Sequence, residues 1–426
     1  MLKSELLKKA SGGFLFKALS IGLNYLFILI VTKFYGVDAW GTMAICLSII
    51  NILSIFGRMG VDVAILRFAS TFKNNNSVLF RIYFKGFKII FVFASSATLI
   101  TFLCSEFIAL EIFNKQYLRG YIKISSVGIL PYSLLFLNGQ YLRAKEKTKE
   151  FFLLVDVLKY LIPIILIGLF YYSELFTGKS VAIYSFVGAL YISAILSTIK
   201  IFVGKGVIFK KKIVSGKKII ETALPLFLGS SALLIMGWVD TLMIGFFKTE
   251  TDTGIYNILV KIAQVPTIVL IAVNGILATK ISYYFNNNQF ENFRKVIHQG
   301  SKMIFLGSLP IFLFLLLLYP YLIKMFELED KDVLVVFLIL LLGQFMNVIS
   351  GSVALILQMI GEQKVFSKIL TIGLLVNIGL NLFLIPELGL KGAAISTTIS
   401  LTLWNLVSIV FIYNKTGVLT FYLPNK

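Results

Sequence analysis

The stretch KGVIFKKKIVSGKK, residues 205–218, contains six lysines and no acidic residue, and it divides the chain into two similar halves. Six apolar stretches precede it and six follow it, each long enough to cross a hydrocarbon core of about 30 Å as an α-helix. We therefore predict an all-α, polytopic membrane protein with about twelve transmembrane helices. The twelve stretches are 14–35, 41–57, 83–104, 121–140, 151–172, 181–199, 219–246, 254–279, 299–322, 333–360, 366–385 and 390–413.

Basic residues alternate between the two sides of this string of apolar stretches. The connections that follow the even-numbered stretches are basic, and the odd-numbered ones are acidic or mixed. We assign 28 of the 40 basic residues to the even connections and the two termini, and eleven of the 20 acidic residues to the odd connections. Because positively charged segments remain on the cytoplasmic side of a membrane, both termini are predicted to be cytoplasmic.

The composition excludes several functional classes. A chain that is 58% hydrophobic is not a soluble enzyme. The net charge of +20 is explained by the charge asymmetry of the connections and by attraction to anionic membrane lipids, so no nucleic-acid partner is expected. Two cysteines and one histidine provide no disulfide framework and no metal-ligand set, and no catalytic residues or resident cofactor are expected.

The two halves resemble each other in sequence. TKFYGVDAWGTMAI, residues 32–45, and IGFFKTETDTGIYNIL, residues 244–259, both show an aromatic pair, a short acidic turn and then a glycine, Gly41 or Gly254. Both halves begin in the cytoplasm, so the repeat is parallel, and two such bundles are expected to form a V-shaped transporter that works by alternating access. The predicted organisation is an N-terminal six-helix bundle (1–203), a basic cytoplasmic linker (204–218) and a C-terminal six-helix bundle (219–426).

We assign five charged residues to the membrane interior, where a charge costs roughly 2.5–3.5 kcal/mol at a helix centre. Lys17 either extends to the cytoplasmic face or faces a cavity. Asp156 and Lys159 are three residues apart, which favours an ion pair on one helix face or a cation that lines a cavity. Asp240 and Lys261 are each about seven residues from the same turn, so we expect them at one depth, either as an ion pair or in ion coupling.

Further polar candidates lie near the cytoplasmic ends and inside later stretches. Asn24 is two turns beyond Lys17 on the first stretch. FGRMGVDVAILRFAS, residues 56–70, is predicted to form an amphipathic helix at the cytoplasmic mouth, where Arg58 and Arg67 suit phosphate contacts or an interfacial position. Four amides at helical spacing are expected to hydrogen-bond between helices or to a sugar: Gln344, Asn347, Asn377 and Asn381.

Several short motifs, in this order along nearly the whole chain, resemble those of a known family. They are YGVDAWG, GVDVAILRF, VDTLMIG, TGIYNILVKIAQVP and IPELGLKGAAISTTIS. With the twelve-span layout, they are similar to those of the polysaccharide repeat-unit flippases. These form the O-antigen transporter family within the multidrug/oligosaccharidyl-lipid/polysaccharide exporter superfamily.

The resemblance implies movement of an undecaprenyl-diphosphate-linked oligosaccharide from the cytoplasmic to the outer leaflet of a bacterial plasma membrane. Candidate contacts to the diphosphate or sugar are then Lys17, Asn24, Arg58, Arg67, Lys159 and Lys261. Asp156 and Asp240 are candidates for ion pairing or for coupling to Na⁺ or H⁺. The partners implied are the lipid-linked substrate, membrane lipids, and the polysaccharide polymerase with its chain-length machinery. A monomer is expected to suffice, since two halves can enclose a cavity.

Two alternatives remain open at this point. A cation-coupled multidrug extruder of the same superfamily would favour acids in its cavity, whereas this chain has three intramembrane lysines and two intramembrane acids. A membrane polysaccharide polymerase would be expected to show a substantial extracytoplasmic loop or a catalytic acid cluster near one membrane face.

Overall fold

The computed structural model describes residues 2–71, 76–173, 178–203, 215–328 and 332–422. Its contacts separate into two compact units, Met1–Leu234 and Ile235–Lys426. The boundary lies within one long helix, and each unit is described by itself below. Most of the predicted linker, 204–214, lies outside the described residues, so the boundaries of the predicted domains stay a prediction.

The first unit is built from long apolar helices, because a backbone in hydrocarbon must satisfy its own hydrogen bonds. The fourth apolar stretch forms α6, which packs against α2, α4 and α9 and is the centre of the unit. A π-helical turn, Phe152–Val157, joins α7 to α8. The helices are α1 (Leu2–Tyr35), α2 (Val37–Arg58), α3 (Val61–Thr71), α4 (Asn76–Leu103), α5 (Ser105–Phe107), α6 (Leu118–Ala144), α7 (Thr148–Phe151), α8 (Leu158–Ser173) and α9 (Val181–Phe202).

The second unit follows the same plan. Its last helix, α17, packs against α14 and α16, and α12 packs against α13. The helix α10 begins in the first unit and ends in the second. The helices are α10 (Gly216–Phe247), α11 (Glu250–Ala263), α12 (Thr267–Asn286), α13 (Phe290–Met325), α14 (Val333–Ile349), α15 (Val353–Met359), α16 (Gln363–Leu388) and α17 (Leu390–Thr416).

The predicted layout of membrane spans is confirmed. Within the described ranges, eleven helices are long and apolar enough to cross a membrane, and the shorter apolar segment Ser231–Phe247 belongs to α10. Together they account for the twelve predicted stretches. The chain is therefore an all-α, multi-pass membrane protein.

Two predicted stretches differ in detail, because the structure divides each into two helices. The stretch 254–279 is broken between α11 and α12 at Pro266, which lacks an N–H donor and disfavours helical geometry in the residue before it. The stretch 333–360 is broken between α14 and α15 at Gly351, whose φ is +74°. Broken helices in a membrane occur where backbone is buried in protein or lines a cavity.

A tight turn separates α2 from α3 and replaces the predicted continuous helix over 56–70. Met59 and Gly60 both have positive φ values, 44° and 74°. A Cβ atom at Gly60 would lie 2.5 Å from the carbonyl oxygen of Ala223 and 2.9 Å from the amide nitrogen of Phe227. Glycine at this position thus permits both the backbone conformation and the close approach of α10.

Each unit contains a polar contact between helices of corresponding stretches, the fourth with the sixth and the tenth with the twelfth. In the first unit Asn138 on α6 donates to Ser197 on α9 at 2.8 Å, and in the second unit Asn405 on α17 donates to Asn347 on α14 at 3.2 Å. The second pair lies 208 to 209 positions after the first. Tyr83 on α4 also donates to Asn138, at 2.6 Å, so this buried amide connects three helices.

Candidate functional site

A cluster of two lysines and one aspartate lies inside the first unit. Lys17 Nζ on α1 is 3.0 Å from Asp156 Oδ2, and Lys159 Nζ on α8 is 4.0 Å from Asp156 Oδ1. The side chains of Asp156 and Lys159 are 14% and 12% exposed, whereas that of Lys17 is 41% exposed. We call these three residues the lysine–aspartate cluster. It holds a net single positive charge, and one side of it is accessible.

The position of Asp156 depends on the π-helical turn Phe152–Val157. A π-helical turn contains an extra residue relative to an α-helical one, so it rotates the side chains that follow, and such turns frequently occur at functional sites. Here the turn contacts α1, and it directs Asp156 towards Lys17 while Lys159 remains within reach. The i, i+3 spacing of Asp156 and Lys159 was evident in the sequence, but the contact with Lys17 was not.

Aromatic rings surround the ammonium group of Lys159. Its Nζ lies 4.8 Å from the ring centroid of Tyr160 and 5.9 Å from that of Tyr132 on α6. The Tyr132 hydroxyl donates a hydrogen bond to Asn51 Oδ1 on α2 at 2.8 Å. Such ring faces stabilise a cation by roughly 0.5–2 kcal/mol. They help to orient the ammonium group of Lys159, which is largely buried.

Arg58 forms a buried ion pair in the same unit. Its Nη1 lies 3.1 Å from Asp62 Oδ2, and its Nε donates to the Ser54 carbonyl oxygen at 3.1 Å. The guanidinium carbon is 4.0 Å from the ring centroid of Phe136. Because the turn after α2 places Asp62 one helical turn beyond Arg58, this buried pair is assembled by local backbone geometry.

The lysine–aspartate cluster and this buried ion pair are joined by aromatic rings on α6. The ring centroids of Tyr132 and Phe136 are 5.0 Å apart, and these rings contact Lys159 and Arg58 respectively. The sequence reasoning did not single out Tyr132, Phe136 or Asn51. Their signal was available, since tyrosine and phenylalanine four residues apart occupy one face of a helix.

The other first-unit candidates lie outside these contacts. Asn24 is partly buried on α1, seven residues and therefore about two turns from Lys17. Arg67 is exposed on α3, and its five-residue separation from Asp62 places it on a different face of that helix.

A buried polar network surrounds Asp240 in the second unit. Asn381 Nδ2 on α16 donates to Asp240 Oδ1 at 2.5 Å, and Thr397 Oγ1 on α17 donates to Oδ2 at 2.5 Å. The Tyr256 hydroxyl on α11 lies 3.5 Å from Oδ2. The side-chain amide of Asn381 also reaches Asn377 Oδ1, at 3.4 Å. Four helices thus supply the oxygen and nitrogen atoms of this network.

Lys261 does not join that network through Asp240 in the part of the chain that the structure describes. Its Nζ lies 4.7 Å from the ring centroid of Trp238, on α10. Trp238 and Asp240 are two residues apart and point to nearly opposite sides of α10. The expected ion pair between Lys261 and Asp240 therefore does not form in this structure. Lys261 lies on the Trp238 side of α10, whereas Asp240 faces α16 and α17.

The whole chain is similar to known transport proteins. A family model described as "Polysaccharide biosynthesis protein" matches residues 6–278, which is more than half of the chain. The chain belongs to this polysaccharide biosynthesis protein family. A second family model, MatE, matches residues 225–383.

Curated relatives of this family member are named as flippases. Probable flippase AglR of Haloferax volcanii is 23% identical over 175 residues, 40% of this chain and 37% of that protein. Probable low-salt glycan biosynthesis flippase Agl15 of the same organism is 24% identical over 193 residues, 42% of this chain and 40% of that protein. The matched region thus spans only about two fifths of these relatives.

Solved structures share the fold of this family member. An inward-facing multidrug resistance MATE family transporter of the MOP superfamily aligns with a TM-score of 0.78 at 14% identity, covering 95% of this chain and 98% of that one. The lipid II flippase MurJ, in an inward closed conformation, aligns with a TM-score of 0.75 at 17% identity, covering 95% and 87%. At these identities the likeness establishes the fold and leaves the cargo open.

Proposed function

We propose that this protein is a flippase that moves undecaprenyl-diphosphate-linked oligosaccharide repeat units from the cytoplasmic to the outer leaflet of a bacterial plasma membrane. The observation that supports this most directly is the lysine–aspartate cluster within an apolar bundle. Such a cation-rich site suits an anionic headgroup, and a buried charge in a membrane usually has a functional partner. The flippase names of the curated relatives agree with this proposal.

The energetic problem of this transport is the polar headgroup. Glycan hydroxyl groups lose their hydrogen bonds to water in hydrocarbon, and an ionised diphosphate loses far more. In the proposed mechanism Lys17 and Lys159 bind the diphosphate oxygens by charge-assisted hydrogen bonds. The buried Tyr132 ring and the Phe136 ring extend from this cluster towards Arg58 and orient the cations that lie over them. The lipid tail stays in the bilayer while the two bundles alternate.

The proposed direction of transport uses the predicted topology. The charge distribution predicts that both termini are cytoplasmic, so Arg58 would lie towards the cytoplasmic end of α2. A cargo entering from that side would reach the lysine–aspartate cluster deeper in the unit, and it would contact Arg58 only after the enclosed Arg58–Asp62 pair opened. The protein would act as a monomer and deliver its cargo to a polysaccharide polymerase with chain-length machinery.

Asp240 is proposed as the coupling site for Na⁺ or H⁺. The network around it contains the oxygen atoms Thr397 Oγ1 and Asn377 Oδ1, and oxygen ligands are the ones that hard cations prefer. Asn381 Oδ1 is buried and has no hydrogen-bond partner among the described residues, so it is available to a cation. The network connects α10, α11, α16 and α17, so ion binding would change the packing of several helices at once.

The proposal can be tested with purified protein in liposomes. A fluorescent polyprenyl-diphosphate-linked oligosaccharide is added to one leaflet, and its appearance in the other is measured by accessibility to a lectin. Loss of a charge-assisted hydrogen bond costs about 1.5–3 kcal/mol, so Lys159→Gln is expected to slow transfer about 10-fold or more. Lys179→Gln is the matched control, since Lys179 forms an exposed ion pair with Asp38.

The structural likeness to a MATE transporter and the MatE match to residues 225–383 favour a second candidate, extrusion of organic cations. The same liposomes distinguish the two functions. Ion-driven uptake of a cationic dye without movement of the oligosaccharide would refute the flippase proposal and support the extruder. Transfer of the oligosaccharide by wild type and Lys179→Gln, together with slow transfer by Lys159→Gln, would support the flippase.

A further inference from the structure

Asp156 occupies the position that an anionic cargo needs. It accepts a hydrogen bond from Lys17 at 3.0 Å and forms an ion pair with Lys159 at 4.0 Å, the two lysines proposed to bind the diphosphate. Further groups facing this region are Tyr160 on the same helix and Tyr132 on α6, both beside Lys159. Among the described residues, Asp156 is the carboxylate that contacts both lysines.

The Asp156 contacts differ from those of the other buried pair. Arg58 and Asp62 are four residues apart, are 5% and 7% exposed, and are held by local backbone geometry. Asp156 instead reaches Lys17, 139 residues away on another helix, and the Lys17 side chain is 41% exposed. The Arg58–Asp62 pair is therefore enclosed, whereas the lysine–aspartate cluster can be entered by an anion.

The net charge of the cluster does not balance that of the cargo diphosphate while Asp156 is paired with the two lysines. Two lysines and one carboxylate leave a single positive charge, whereas a diphosphate diester carries two negative charges at neutral pH. Displacement of Asp156 from the lysines exposes two cations to the two phosphates. When the cargo leaves, Asp156 again neutralises the lysines, which avoids leaving buried charges without a partner.

We propose that Asp156 is a built-in competitor of the cargo diphosphate, which keeps the lysines oriented and lowers the affinity of the site so that the cargo can be released. This inference rests on the proposed flippase function and adds a positioning residue to it. Release matters because differences in affinity between closely related complexes arise mostly from their dissociation rates. A site with two uncompensated lysines would bind the diphosphate too long.

The test measures binding and transfer in the same variants of the full chain. Geranylgeranyl diphosphate is the charged probe and geranylgeraniol the uncharged one, titrated against protein in nanodiscs. Asp156→Asn is expected to bind the diphosphate about 10-fold more tightly, because a negative charge close to the ligand is removed. Transfer of the lipid-linked oligosaccharide by the same variant should become slower at saturating cargo. If Asp156 served only in helix packing, Asp156→Asn would weaken diphosphate binding and slow oligosaccharide transfer.

Three further variants make the test specific to charge. Asp156→Glu should retain affinity close to wild type. Lys17→Gln should weaken diphosphate binding, and the double variant Lys17→Gln/Asp156→Asn should restore it, since its cluster again carries one net positive charge. If Asp156→Asn alone fails to fold, the comparison of Lys17→Gln with this double variant still tests the proposed role of Asp156. Asp38→Asn, in the exposed pair with Lys179, is the control and should bind as wild type does.

The outcomes separate this inference from the proposed function. Unchanged or weaker diphosphate binding in Asp156→Asn, or no restoration in the double variant, would overturn the competitor role while leaving the flippase proposal intact if Lys159→Gln still slows transfer. Equal binding of geranylgeranyl diphosphate and geranylgeraniol by wild type would overturn the proposed function and this inference together. Tighter binding with slower transfer in Asp156→Asn supports the inference.

Discussion

Replacement of Arg58 by leucine separates a structural role of this residue from a role in cargo binding. Arg58 and Asp62 are 5% and 7% exposed and 3.1 Å apart. Arg58→Leu leaves the Asp62 carboxylate buried without its cation, which costs about 3–5 kcal/mol. For a unit of this size, that loss corresponds to a decrease in the melting temperature on the order of 10 °C.

The double variant Arg58→Leu/Asp62→Leu removes both charges and should recover most of this stability, because replacing a whole buried ion pair by apolar residues is often neutral. If Arg58 contacts the cargo, the double variant stays stable and still transfers the oligosaccharide poorly. If Arg58 is purely structural, transfer returns together with stability.

Two measurements are combined. Thermal unfolding in detergent is monitored by size-exclusion chromatography, and transfer is measured in liposomes. Lys179→Leu is the matched control, because this lysine is 51% exposed and its ion pair should contribute less than about 1 kcal/mol. A melting temperature of Arg58→Leu equal to that of this control would refute the argument from burial. Wild-type transfer by the double variant would refute the assignment of Arg58 to cargo binding.

Two further predictions concern the turn after α2 and the network in the second unit. Gly60→Ala should destabilise the protein by about 2 kcal/mol or more, since its φ of +74° is strained for alanine and the new Cβ would meet backbone atoms of α10. Gly22→Ala, which has open space around it, should be neutral or stabilising in the same thermal assay; equal effects of the two would contradict this. Asp240→Asn should abolish the dependence of transfer on a Na⁺ or H⁺ gradient while geranylgeranyl diphosphate still binds. An unchanged response to the gradients would exclude Asp240 as the coupling site.

Much of the architecture could be predicted from the sequence, because crossing a membrane constrains the length and apolarity of each segment along the chain. A helix must be apolar over about 20 residues, so composition alone locates it. The break at Pro266 was not predicted, although proline interrupts helical hydrogen bonding and so marks the position in the sequence. The ion pair between Asp156 and Lys159 was accessible for a similar reason, as residues three apart share a helix face.

The candidate sites were only partly accessible from the sequence, because they depend on which faces of distant helices meet. Asn381 and Thr397 lie 141 and 157 residues after Asp240, and no local pattern relates them to it. Asn377 and Asn381 were recognised as polar residues in an apolar helix, but their common neighbour was not. Lys261 was expected beside Asp240, whereas its Nζ lies over the ring of Trp238.

The sequence by itself determined that the chain is a polytopic helical membrane protein, which residues cross the membrane and which rare charged residues require a partner there. These properties follow from the transfer energy of each segment, which is local. The tertiary structure decided which partners those charges have: Lys17 with Asp156, Lys261 over Trp238, and Asp240 among amides and hydroxyls. A partner depends on the rotation of each helix about its axis, and only the packing of the helices against one another sets that rotation.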